Sequence, residues 1–134
     1  MGPGSIFSLD KDFAHFKLYE HYLIATIHEG VIFDTPELHI LIDVFNKHYY
    51  NRPFGFISNR KNDYTINPTC YAEADKFDLK IVGIATLCYS KFNYDNAIFG
   101  GRFYNWPHKA FFTMGECVAW INSLLPSQSK KAGL

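Results

Sequence analysis

Leu79 to Tyr89, LKIVGIATLCY, is apolar along nearly its whole length, and this stretch limits the possible folds most. A strand wet on one face alternates apolar and polar residues, whereas a continuous run of this length fits a strand covered by helices on both faces. The expected architecture is therefore an α/β layered fold with this strand at the centre of its sheet. With 134 residues, 48% of them hydrophobic, the chain suffices for one core, since domains commonly run to ~100–150 residues.

The flanking segments supply the other elements. Asp12 to Glu20 and Tyr22 to His28 are rich in aromatic and β-branched residues and separated by a very short connection, which predicts an antiparallel hairpin with the first strand at the edge. Thr35-Pro36-Glu37 then opens a helix, with Thr35 as cap and Pro36 at the first helical position. Leu38, Leu41, Ile42, Phe45 and Tyr49 follow at helical spacing. A third strand, FGFIS, comes next, and Asn67-Pro68 repeats the cap-then-proline pattern before a short helix from Thr69 to about Phe77, with Tyr71 and Ala74 inward.

After the Leu79–Tyr89 strand, a helix from Phe92 to Tyr104 is expected through Phe92, Phe99 and Phe103, although Gly100-Gly101 weakens it. Lys109 to Thr113 reads as a last strand. Thr113 and Glu116 match a capping box, with Phe112 and Cys117 as its hydrophobic staple, for a final helix that Pro126 ends. The order is ββαβαβαβα, a mostly parallel sheet with an antiparallel edge hairpin and flanking helices. MGPGS (1–5) reads as an expression-tag remnant, 6–126 as a single domain, and 127–134 as a flexible tail.

Composition narrows the functional classes. Thirteen basic residues balance thirteen acidic ones, leaving no broad positive field for nucleic acid. No apolar run approaches the ~20 residues of a membrane span. Cys70, Cys88 and Cys117 form no CxxC pair, which fits buried, reduced thiols in a cytoplasmic protein. The six histidines are dispersed, without H-E-x-x-H spacing, so neither a metal site nor a cofactor is expected. There is no G-x-S-x-G elbow; Ser58 and His28 each end a strand but form no recognisable triad. Gly100-Gly101 does not sit between a strand and a helix as a phosphate cradle does. The expectation is a non-enzymatic protein.

The segments YLIATIHEGVIFDTPEL, RPFGFISNRKNDYTINP and LKIVGIATLCYS, in this element order, resemble the SpoIIAA-like (STAS/SEC14-like) domains, in an uncharacterised bacterial branch. The resemblance covers nearly the whole chain beyond the first residues. In the STAS-fold anti-sigma-factor antagonists, a Ser or Thr in a D-S-S-G-like segment at the start of the second helix is phosphorylated, and the surrounding surface docks on a partner kinase. The comparable segment here is Asp63-Tyr64-Thr65-Ile66-Asn67-Pro68. It lacks the glycine, and Tyr64 stands where a small residue is usual. Thr65, or alternatively Ser58, is the hydroxyl that the resemblance puts forward for phosphorylation, with Arg60 and Lys61 close in sequence to balance the added charge.

Residue chemistry and resemblance point to the same place, the loops at the C-terminal ends of the parallel strands, where open α/β sheets carry their sites. The expected protein-binding surface comprises Ser58, Asn59, Arg60, Lys61, Asp63 and Tyr64, with Tyr89, Phe92 and Tyr94 beside it. Its aromatics act as anchors and its charged residues set specificity. The alternative at the same strand ends is a small-molecule site, lipid-like or nucleotide-like, and a small apolar ligand between sheet and helices is one form of it. A homodimer through an exposed strand or helix, with Asn51 to Pro53 near one such surface, is a further possibility.

Overall fold

A computed structural model describes residues 7–126, so the remnant expected at 1–5 and the tail expected at 127–134 lie outside the described residues. The strands are β1 (Phe7–Lys11), β2 (Ala14–Leu18), β3 (Tyr22–Ile27), β4 (Ile32–Phe33), β5 (Phe54–Asn59), β6 (Thr65–Ile66), β7 (Ile81–Leu87) and β8 (His108–Phe111). The helices are α1 (Thr35–Tyr49), α2 (Thr69–Ala74), α3 (Lys91–Gly101) and α4 (Met114–Leu124). Six strands form one sheet in the order β1-β2-β3-β5-β7-β8. β1 pairs antiparallel with β2 and β2 with β3, whereas β3, β5, β7 and β8 pair in parallel.

The mixed α/β fold with an antiparallel edge is therefore as expected, with several local corrections. The expected edge strand, β2, is covered by β1, whose residues are mostly exposed and so carry no apolar pattern to read. The middle of the sheet is β3 and β5 rather than the apolar β7, which is second from an edge. Asp34, not Thr35, caps α1: its carboxylate accepts from the Thr35 amide, and Glu37 Oε1 accepts from the Asp34 amide at 2.9 Å. The short β4 and β6, which the sequence reading lacked, pair with each other in a separate two-stranded ribbon. At the next helix Asn67 Oδ1 accepts from the Thr69 amide at 3.1 Å, but α2 stops at Ala74.

Packing divides the two sheet faces unevenly. On one face α1 seats Leu38, Leu41, Ile42 and Phe45 against Phe16, Leu23, Ala25 and Phe54 in the main core. Tyr49 stacks on Phe54 at 4.6 Å, and its hydroxyl lies 2.7 Å from the carbonyl oxygens of both Tyr19 and Tyr22, tying α1 to the β2–β3 turn. The other face carries α4 alone, whose Cys117 and Ile121 pack with Ile24, Ile57, Ala85 and Leu87. At the closest approach, a Cβ on Gly55 would lie within 2.3 Å of the Ile121 side chain. Cys70, Cys88 and Cys117 are buried and free; burial pushes all three thiols up, Cys117 to about 12.

α3 lies beside α2 on the first face, with its large apolar residues turned outwards. Ala97 is its buried residue, whereas Phe92 and Phe99 are 76% and 59% exposed, and Phe103 just beyond the helix is 52% exposed. The reason is at Gly101, where a Cβ would stand 2.3 Å from the His108 ring. The small residues of α3 meet the sheet, and the phenylalanines point away. His108 accepts or donates a 2.8 Å hydrogen bond with the buried Thr86 hydroxyl. Thr113 caps α4 by accepting from the Glu116 amide, while Phe112, expected to staple against Cys117, stacks instead on Tyr94 at 5.0 Å.

Two outcomes are expected. Gly55→Ala should lower the denaturant midpoint by the equivalent of about 1–3 kcal/mol, because the new methyl overpacks a closed contact. Gly115→Ala, where a Cβ meets nothing within 4 Å, should be neutral or stabilising by up to about 1 kcal/mol. His108 supplies a pH dependence, since burial lowers it from 6.5 to about 4. The unfolded chain binds the extra proton between those values, so this contribution is complete above about 6.5 and is lost as pH falls towards 4, by up to about 3 kcal/mol. Urea titrations at pH 7 and pH 4.5 should show a smaller pH-induced loss for His108→Gln than for the parent.

Candidate functional site

The C-terminal ends of β5 and β7 lie side by side because the two strands pair from Ser58↔Thr86 to Asn59↔Leu87. The Arg60 amide continues the ladder by donating to the Leu87 carbonyl at 3.1 Å. From this corner two chain segments leave: residues 60–64 pass over the sheet end, and Tyr89-Ser90 leads into α3. Ser90 caps α3 by accepting from the Asn93 amide at 3.0 Å, which fixes where Phe92 and Tyr94 emerge.

The polar loop is firmly built. Asn59 donates to Thr26 Oγ1 at 3.1 Å and accepts from the Tyr89 hydroxyl at 2.7 Å, bridging three strand ends. Asn62 donates to the Ile27 carbonyl at 2.9 Å, and the Asp63 amide donates to Glu29 Oε1 at 3.1 Å. The Gly30 amide donates to the Asp63 carbonyl and the Thr65 amide to the Val31 carbonyl, carrying the chain into the β4–β6 ribbon. Lys61, Asp63 and Thr65 remain exposed.

The nine residues expected at the surface separate into groups. Ser58 and Tyr64 turn towards α1 and α2, their hydroxyls 3.4 Å apart, and the Arg60 guanidinium lies 4.4 Å from the Tyr64 ring centroid. Arg60 Nε is buried without a protein hydrogen-bond partner among the described residues. Lys61 faces the opposite side of the sheet, near Asn59. Tyr89 is 59% exposed and Phe92 more so, and Tyr94 is half-buried beneath Phe112. Ser58 and His28 line cavities on opposite faces of the sheet, so the geometry makes no Ser–His pair of them.

Ser58 and Tyr64 border a cavity of about 100 Å³ between the sheet, α1, α2 and the segment after α3. Its walls are almost entirely apolar, including Leu41, Phe45, Phe56 and Ile84. Tyr71 and Tyr104 join its polar end with their rings edge-to-face at 5.2 Å. Burial pushes both phenols up, and the nearby Arg60 charge opposes that only in part. Sequence reasoning did not assemble this group, because its tyrosines come from a loop, a six-residue helix and a connection.

It also missed the outer surface of α3. Ile98, Phe99, Phe103 and Phe112 are exposed, as Tyr89 and Phe92 are, and the Phe99 and Phe103 rings meet edge to face at 5.7 Å. The available signal was Ala97 with Gly100-Gly101, a small-residue face suited to close packing, which leaves the large apolar residues outside. Among the described residues no group of three His, Cys, Asp or Glu side chains could hold a metal ion, and no helix is long and apolar enough to cross a membrane.

No family model matches the sequence, and no curated protein does. Among solved structures, the chain is similar to an uncharacterized protein of the DUF3478 family with a SpoIIAA-like fold from Shewanella loihica PV-4. The two are 8% identical, the match covers 86% of this chain and 90% of that one, and the TM-score is 0.57. At that identity the likeness speaks for the architecture: a parallel sheet with an antiparallel edge, three helices on one face and one on the other. The chain has a SpoIIAA-like fold.

Proposed function

We propose that this chain is a non-enzymatic, cytoplasmic protein-interaction domain that, like the anti-sigma-factor antagonists it resembles, engages its partner at the C-terminal ends of its parallel strands. The observation that carries the reading is the outer surface of α3 and its flanks. Of the eleven large apolar residues exposed among the described residues, six fall between Tyr89 and Phe112: Tyr89, Phe92, Ile98, Phe99, Phe103 and Phe112. Single exposed apolar residues are ordinary, but such a concentration marks a surface that gains by being covered. Aromatic anchors with an arginine among them match the composition of interfaces, and the Arg102 guanidinium lies 5.7 Å from the Phe99 ring centroid. The polar loop holds one end of that surface in place through the Tyr89–Asn59 bond. On this reading Thr65, which is exposed, is the hydroxyl open to phosphorylation, whereas Ser58 is turned into the cavity.

The test is affinity capture from extracts of the source organism, comparing the parent with Phe92→Ser/Phe99→Ser and with a Tyr50→Ser control. Tyr50 is 78% exposed but lies at the end of α1, away from the α3 surface. The expected result is a partner retained by the parent and the control and lost by the double variant, at an unchanged unfolding midpoint. Equal retention by all three would remove the aromatic surface from the account.

The apolar cavity favours a second reading, binding of a small apolar ligand. Its volume of about 100 Å³ falls below the ~300 Å³ at which ordinary ligand pockets begin and near that of cavities that take one benzene ring. This argues for a compact ligand rather than a lipid chain. Benzene near saturation should raise the thermal midpoint of the parent but not of Ala74→Leu, which fills part of the cavity wall; an unchanged parent midpoint would dismiss this reading.

A further inference from the structure

The sheet face that carries α4 is only half covered. α4 packs over β5, β7 and β8, and the β2–β3 half of that face lies beside it as an open groove of about 570 Å³, closed at one end by Met114 and at another by the loop at Lys61. Strand register gives the groove a definite layout. His15 pairs with Thr26, and Thr26 in turn receives the Asn59 hydrogen bond, so these three side chains form a row across β2, β3 and β5. Two strand spacings make that row about 10 Å long. Lys17 stands two residues from His15 along β2, and Lys61 two residues beyond Asn59, at diagonally opposite corners.

The two lysines of the groove are unanswered. No carboxylate lines it, and among the described residues neither Lys17 nor Lys61 takes part in a salt bridge, although five such pairs form elsewhere and a sixth joins the groove's His15 to Asp10 on β1. The acidic side chains closest by chain position already have partners. Asp10 is bonded to His15, Glu29 to the Asp63 amide, and Glu116 to Thr113. Thr26 Oγ1 accepts from Asn59, which leaves its hydroxyl proton to donate into the groove. Tyr19, Ile24 and Met114 add a short apolar wall for an organic skeleton. In a chain whose thirteen basic and thirteen acidic residues balance, the excess positive charge here is local.

We infer that this groove binds a small, extended organic dianion, with one phosphate or carboxylate group at Lys17 and the other at Lys61, the skeleton lying along the His15–Thr26–Asn59 row. Two ammonium groups at opposite corners suit an anion with separated charges better than a single compact ion, and lysine recognises either group as a point charge. The site is on the face of the sheet opposite the apolar cavity, and it stands whether or not the α3 surface binds a protein.

Amide chemical shifts of the full chain, titrated with fructose 1,6-bisphosphate and separately with adipate, test the inference and distinguish the two kinds of anionic group. The expected result is saturable shifts at Lys17, Thr26, Asn59 and Lys61 with at least one of the two, and no comparable response to acetate. Lys17→Glu and Lys61→Glu should each weaken that binding at least tenfold, whereas Lys47→Glu, on α1 across the sheet, should leave it unchanged. Unaltered core amide positions in the variants establish that they fold. Absence of shifts with both probes at millimolar concentration, or an equal loss on Lys47→Glu, overturns the inference.

Discussion

The approach of α4 to β5, where Ile121 occupies the space that a side chain at position 55 would take, organises the molecule. It fixes one helix over the parallel half of the sheet and closes a core of Ile24, Ile57, Ala85, Leu87 and Cys117. The opposite face needs three helices to cover it. α1 is secured by its aromatic contacts with β5 and by the Tyr49 hydroxyl on the Tyr19 and Tyr22 carbonyls. α3 is held by close packing of its small residues near His108. This unequal covering leaves one half-sheet open and turns the aromatic side of α3 outwards, so the surfaces proposed for function follow from how the layers close.

Much of this was legible in the sequence where burial imposes a pattern. Leu38, Leu41, Ile42, Phe45 and Tyr49 recur at helical spacing because one side of α1 must be apolar, and the continuous β7 run reflects two covered faces. β1 was not legible because its side chains are largely exposed and its pairing is carried by backbone. The cap of α1 fell one residue off, since Asp34 and Thr35 are both good capping residues and only geometry separates them. The register of α3 stayed open for a different reason. Large apolar residues do not mark the buried side where Ala97 and Gly101 provide it.

The candidate site shows the same division. Its location, at strand ends where a polar loop meets a new helix, was readable from the alternation of apolar and hydrogen-bonding residues. Which side chains share a surface was not. Tyr64 and Ser58 turn inwards beside Tyr71 and Tyr104, whereas Tyr89 and Phe92 turn outwards with Phe99 and Phe112. Those directions depend on the Asn59 bridge and the Ser90 cap, contacts between segments about thirty residues apart or at the start of a helix whose register the sequence left open. A polar loop pinned by the Asn59, Asn62 and Asp63 hydrogen bonds is a rigid support, and rigidity lowers the entropic cost of presenting aromatic anchors.

The central claim, that the aromatic surface of α3 is bare in the isolated chain and covered by a partner in its native setting, is tested most directly by hydroxyl-radical footprinting of the purified protein and of the protein in its source cells. The account predicts strong labelling of Tyr89, Phe92, Phe99 and Phe112 in the purified chain and their protection in cells, with Tyr50 labelled alike in both. Equal labelling of the four aromatics in both settings, or their protection already in the purified chain, would contradict it.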